Sequence, residues 1–248
     1  MARIDLNCDL GEGAGHDAEL MPLISSANIA CGAHAGDEAT MRATIALAKQ
    51  HGVAIGAHPG FPDRANFGRV ELPVSPAEVR GFVLGQTQHL LALARQGGAR
   101  VHHVKPHGAL YNLAARDAKF ARAVADAVYE ADPRLVLVGL AGSRLLEAGA
   151  ECGLSTISEV FADRTYQADG TLTPRNQPGA LIKDAAVAVA QVLRMVREGR
   201  VTAADGNEVE IQADTVCLHG DGEHAVEFAQ QLRAALVQTG LEIKSFAA

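Results

Sequence analysis

Short apolar runs alternate along this chain with longer stretches in which apolar positions recur every three or four residues. Such alternation marks repeated strand–helix units, and strands of that kind lie in a parallel sheet buried on both faces. Strands are predicted over Ile4–Cys8, Ala27–Cys31, Val53–Ala57, Val101–Lys105, Leu135–Gly139, Ser155–Phe161 and Thr215–His219. Helical periodicity falls between them, near 37–51, 76–96, 117–131, 142–152, 179–198 and 223–239. Ser75-Pro76-Ala77-Glu78 has the residues of a capping box with proline at the first helical position. Val79, Phe82, Val83, Leu90 and Leu93 then share one helical stripe, as do Val226, Ala229, Leu232 and Leu236 further on. Asp205-Gly206 within Val201–Gln212 signals a tight hairpin.

Strand–helix steps of this number, with no linker-like stretch between them, predict a single α/β domain over residues 1–248. The expected architecture is a (β/α) barrel of about seven parallel strands, with a small β-hairpin insertion near residues 201–212. A doubly wound open sheet is the other arrangement this order permits. Its nucleotide fingerprint would follow the first strand, and GEGAGH there is neither GxGxxG nor a Walker A loop.

Composition narrows the partners. The chain has 248 residues, 48% of them hydrophobic, which suffices for a substantial core. A formal charge of −7, spread along the sequence, argues against nucleic acid as a partner. No run approaches the roughly 20 apolar residues of a membrane span, and MARIDLNCDLGEG does not resemble a signal peptide. Cys8, Cys31, Cys152 and Cys217 lack CxxC spacing and read as reduced thiols. A cytoplasmic location is expected.

The polar residues gather at predicted strand ends, where barrel enzymes carry their catalytic groups. In the first strand Asp5, Asn7 and Asp9 alternate with Ile4, Leu6 and Cys8, so one face is polar throughout. An exposed edge strand would give the same pattern. Inside a barrel those carboxylates need a partner or a cation. Further candidates follow at the other strand ends: Asn28, His34 and Asp37; His58, Asp63 and Arg64; Lys105, His107, Tyr111 and Asn112. Glu159, Asp163, Arg164 and Tyr166 follow the sixth strand, and His219, Asp221, Glu223 and His224 the seventh. Taken singly, Asp37 and Asp221 suit helix caps, and the arginines suit surface ion pairs. Convergence of His34, His58, His107 and His219 beside Asp9 carries more weight. Such a cluster provides general acids and bases, ligands for a divalent metal ion, or both. Lys105, projecting into the mouth, would neutralise phosphate or carboxylate charge. His16, His51, His89 and His102 lie away from strand ends and are given no role.

The same junctions carry a resemblance. DLNCDLGEG at 5–13, SANIACGAHAGD at 26–37, GVAIGAHPGFPDRANFGR at 52–69 and HVKPHGALYN at 103–112 are similar to the LamB/YcsF family of lactam-utilisation proteins. LVGLAGS at 137–143, EVFADRTYQADGTLTPR at 159–175 and TVCLHGDGEHA at 215–225 extend the match across nearly the whole chain. The resemblance implies a barrel of the glycoside hydrolase/deacetylase kind. It also implies ATP-dependent opening of 5-oxo-L-proline to L-glutamate, in concert with two partner subunits, B and C. That chemistry requires phosphate to be held, water to be oriented and a departing nitrogen to be protonated. The expected catalytic set is Asp9, His58, Lys105, His107, Glu159 and Asp221. Asn7, Asn28, Arg64, Arg164 and His219 are expected to hold substrate or phosphate, and Asp9, His34, His58 and His107 are the metal candidates. Two other readings stay open: a metal-dependent amide hydrolase or deacetylase that needs no ATP, and a non-catalytic substrate-binding subunit.

Overall fold

Strand β1 (Arg3–Leu10) decides the architecture, because its polar face must go either to solvent or to the interior. In the computed structural model, which describes residues 3–218 and 225–247, both faces are covered. Ile4, Leu6, Cys8 and Leu10 are buried, and Asp5 and Asn7 are each only 1% exposed. The strand is not an edge.

The chain continues through α1 (Asp17–Leu20), β2 (Ser26–Ala30), α2 (Glu38–His51) and β3 (Ala54–His58). Next come α3 (Pro76–Gln96), β4 (Val101–Val104), α4 (Gly108–Arg116), α5 (Ala118–Ala131), β5 (Val136–Leu140) and α6 (Arg144–Glu151). The last third holds β6 (Ser155–Phe161), α7 (Ala185–Glu198), β7 (Arg200–Thr202), β8 (Glu208–Glu210), β9 (Thr215–Leu218), α8 (Ala225–Gln238) and β10 (Glu242–Ile243). Parallel strands run in the order β1-β2-β3-β4-β5-β6-β9, and β9 closes the circle by pairing with β1 as well as β6. The result is a seven-stranded parallel β/α barrel with a separate two-stranded antiparallel hairpin, β7–β8, at the predicted place. All the predicted strands are present, with ends that shift by a residue or so.

Helix starts follow local chemistry. The Ser75–Glu78 capping box is formed in both directions, with Pro76 in the first turn. Asp37 accepts from the Thr40 amide, so it caps α2, the plainer of its two readings.

Four elements differ from expectation, the first being the short α1, which no periodicity announces. Helix α4 occupies a stretch that reads as strand end and turn; its few residues bury Leu110, Tyr111, Leu113 and Ala114 on one side, too short a run for periodicity to stand out. Helix α7 starts at Ala185, capped by Asp184, rather than near 179. Pro174, Pro178 and Gly179 keep the preceding stretch out of a helix, and it forms a loop held by Arg164–Leu181 and Tyr166–Leu172 bridges. Strand β10 adds a short parallel pairing to the start of β1. No helix among the described residues is long and apolar enough to cross a membrane.

Candidate functional site

The inward face of β1 begins a column of polar groups along the barrel axis. At its amino end the buried Asp5 carboxylate accepts hydrogens from Ser25, Ser26 and Thr215. Burial raises its pKa, and the three hydroxyls only partly oppose this. One layer up, the Asn7 amide donates to Thr215 Oγ1 at 2.8 Å, and its carbonyl accepts from Asn28 at 2.8 Å. Asn28 also donates to Asp9 Oδ1 at 2.8 Å and accepts from His103 Nε2 at 2.8 Å. Burial drives the His103 imidazole down to about 3, so it stays neutral.

Lys105 occupies the next layer, 2% exposed. Its ammonium lies 2.8 Å from Glu159 Oε1 and donates to Asp9 Oδ1 at 2.9 Å, Asn7 Oδ1 at 3.1 Å and Cys217 Sγ at 3.1 Å. Burial alone would lower its pKa, but Asp9, Cys217 and Glu159 outweigh that and hold the ammonium charged. Lys105 therefore acts inside the column instead of reaching from the mouth toward a phosphate.

Above the strand ends lie Glu12, His34, His58 and His107. Glu12 Oε1 is 3.1 Å from His34 Nε2, 3.2 Å from His107 Nδ1 and 3.8 Å from His58 Nε2. His58 Nε2 is also 3.3 Å from Asp9 Oδ2, which links this group to the column below. The rings of His34 and His107 stack at 3.7 Å with an interplanar angle of 3°. Gly68, at φ +63, lies against both rings, and a Cβ there would fall 2.8 Å from His34 Cβ and 3.0 Å from His107 Cδ2. Burial lowers the His34 pKa to about 4. Burial pushes Glu12 up, yet its contacts with His107 and His34 prevail and bring it down to about 2. Burial would also depress His58, but the Asp9 charge beside it raises the balance above the ordinary value. Glu12, His34, His58 and His107 form a candidate metal centre, with one ligand atom from each lying within 4.8 Å of the others.

Eight of the residues singled out from sequence meet here: Asn7, Asp9, Asn28, His34, His58, Lys105, His107 and Glu159. Arg64 lies on the rim, donating to the Gly32 carbonyl at 3.0 Å and to the Gly36 carbonyl. It ties two strand–helix loops together. Arg164 is buried in the loop after β6, donating to the Thr173 carbonyl at 2.6 Å, and burial lowers its pKa to about 10. His219, Asp221, Glu223 and His224 lie outside the described residues. Sequence reasoning stops at Asp9 and so passes over Glu12, although DLGEG sits at the same kind of strand–helix junction as the others. It also passes over His103, whose spacing of two from Lys105 puts both on the inner face of one strand. The metal set expected from sequence contains Asp9; the cluster of candidate ligand atoms contains Glu12 beside His34, His58 and His107, and Asp9 touches it through His58 while its Oδ1 turns to Lys105.

The model of the LamB/YcsF family matches residues 4–248. The A component of 5-oxoprolinase from Shouchella clausii is 57% identical over 250 residues, covering 99% of this chain and 99% of its own. That of Geobacillus kaustophilus is 56% identical over 249 residues, covering 99% of this chain and 97% of its own. A crystal structure of a lactam utilization protein from Thermus thermophilus superposes with a TM-score of 0.92 at 48% identity, over 98% of this chain and 100% of that one. Peptidoglycan deacetylase PdaC from Bacillus subtilis shares the fold alone, with a TM-score of 0.52 at 10% identity over 99% and 88% of the two chains.

Proposed function

This chain belongs to the LamB/YcsF family, and from that premise we propose that it acts as the A component of a 5-oxoprolinase, opening 5-oxo-L-proline to L-glutamate as ATP becomes ADP and phosphate. The observation that carries the reading is identity of 57% to such a component, sustained across 99% of both chains. Subunits B and C are its partners, and the cytoplasm is where ATP would be supplied.

The reaction sets the demands. A lactam nitrogen is a poor leaving group while its carbonyl is resonance-stabilised. Attack of the lactam oxygen on the γ-phosphorus breaks the bond to ADP and leaves an electrophilic ring carbon. Water then adds to that carbon, the C–N bond breaks as nitrogen takes a proton, and a second water hydrolyses the γ-glutamyl phosphate. Asp9, held beside the rim histidines, suits the water-activating step. Lys105 holds one carboxylate oxygen of Asp9 while His58 Nε2 meets the other, so Asp9 is fixed against the rim histidines. Lys105 is then a positioning residue for Asp9, and Glu159 balances its charge.

The test is ATP-dependent glutamate formation from 5-oxoproline by this chain with B and C, against each component alone. The expected result is turnover only in the complete mixture. Turnover without ATP would support the second reading, metal-dependent amide hydrolysis, which the His/Glu cluster favours. Turnover by B and C alone would make this chain a binding component.

A further inference from the structure

Hydrogen positions at the rim histidines conflict with one another. His58 Nδ1 lies 2.7 Å from the Lys105 carbonyl, and His107 Nε2 lies 2.8 Å from the Phe67 carbonyl. A carbonyl oxygen only accepts, so each of those nitrogens carries the ring hydrogen. In the neutral imidazoles, His58 Nε2 and His107 Nδ1 are therefore both lone pairs, and they face each other at 3.0 Å. Glu12 Oε1, another acceptor, is 3.2 Å from the second, and Asp9 Oδ2 is 3.3 Å from the first. His34 brings a third imidazole, its Nε2 turned to Glu12 and its buried Nδ1 without a hydrogen-bond partner among the described residues. Below the same mouth Asp9 and Glu159 share the ammonium of Lys105, so among the described residues Glu12 has only the histidines beside it to answer its charge. Acceptors converge on one point, and a cation there would satisfy them all.

We propose that His34 Nε2, His58 Nε2, His107 Nδ1 and Glu12 Oε1 bind one divalent ion of the zinc class, distinct from the magnesium that accompanies ATP. Four ligand atoms about 2.1 Å from a common centre would stand roughly 3.4 Å apart in a tetrahedron. Four of the six separations here, 3.0, 3.1, 3.2 and 3.8 Å, bracket that value, and all lie within 4.8 Å. Three imidazoles and one carboxylate suit zinc, cobalt, nickel or manganese, whereas magnesium takes oxygen ligands and keeps its water. Carbonyl anchoring of the outer ring nitrogens is the arrangement that presents the inner lone pairs to a metal. The inference rests on the family reading only for where the ion would be used; the ligand set stands on the geometry of this chain.

The experiment strips the purified full chain with a chelator and titrates it with Zn2+ and, separately, Co2+. Elemental analysis, melting temperature and the visible spectrum of the cobalt form are the readouts. One equivalent per chain, a raised melting temperature and a tetrahedral cobalt spectrum are expected. Glu12→Gln and His107→Ala should each weaken uptake at least tenfold, while His89→Ala, on an exposed helix face, should leave it unchanged. Absence of uptake by the unmodified chain would overturn the proposal and leave a shared proton as the occupant, whatever the variants do. Uptake indifferent to Glu12→Gln and His107→Ala would overturn it as well. The stripped and reloaded chains are then assayed with B, C and ATP. Stoichiometric metal without turnover refutes the family reading and leaves the site; turnover with no uptake does the reverse.

Discussion

Replacing Lys105 by methionine keeps most of the side-chain volume and removes the ammonium at the centre of the column. That ammonium lies 2.8 Å from Glu159 and 2.9 Å from Asp9, with Lys105 2% and Glu159 0% exposed. At an effective dielectric of about 20, each contact corresponds to roughly 6 kcal/mol of attraction, much of it cancelled by the cost of taking the charges out of water. Net worth is small for such a triad, but removing the ammonium strands the buried Glu159 carboxylate, while Asp9 keeps Asn28 and His58. That typically costs about 3–5 kcal/mol. Urea unfolding near neutral pH should show a loss of that size. Adding Glu159→Gln to Lys105→Met removes the stranded charge and should recover about 2 kcal/mol. The two singles and the double form a cycle, so the coupling is measured directly. A loss below about 1 kcal/mol, typical of exposed pairs, would refute the buried triad, as would singles that simply add. The same variant should cost the full complex most of its kcat, because Asp9 would lose the contact that fixes it.

Asp9→Asn keeps the acceptor for Lys105 and removes the charge beside His58; kcat of the complex should fall at least about a hundredfold with KM little changed, and equal losses in both would argue against a proton-transfer role. Gly56→Ala would drive a methyl into the His103 ring, so unfolding should be easier by about 1–3 kcal/mol, and an unchanged urea midpoint would contradict the position of that ring. The depressed pKa of His103 makes its contribution to stability whole above the unfolded value of 6.5; below that pH the unfolded chain takes up a proton that the fold refuses until about 3. Unfolding free energy relative to His103→Gln should therefore decline by about 1.4 kcal/mol per pH unit as pH falls below the unfolded value, and a constant difference would show that His103 is already protonated in the fold.

Much of this architecture is legible because barrel strands declare themselves as apolar runs, and inward polar residues stand out against them. Asp5, Asn7 and Asp9 on alternate positions of β1 mark out the column by their spacing alone. What escapes is set by closure. Glu12 reaches His34 across 22 positions of chain, and nothing local in DLGEG says which way its side chain turns. Lys105 is conspicuous in sequence but its direction is not, since a lysine preceding a proline at a rim reads the same whether it points outward or down the axis. His103 sits in VHHV, where period two predicts one inward histidine without saying which. The late start of α7 lies in the prolines and glycine before it, whose effect a reading by helix length alone overruns.

Strand β9 fits between β1 and β6 and is the last barrel strand to be synthesised. The Asn7–Thr215 bond that it makes spans 208 positions. Until β9 arrives, the nascent chain has two unpaired edges, at β1 and β6, and the interior ends of Lys105 and Asp9 are open to water. Its inner face is hydrated rather than greasy, which lowers the tendency of half-built barrels to stick to one another. A chain truncated before Thr215 would lack the strand that closes the barrel, and with it the Thr215 and Cys217 contacts of the polar column.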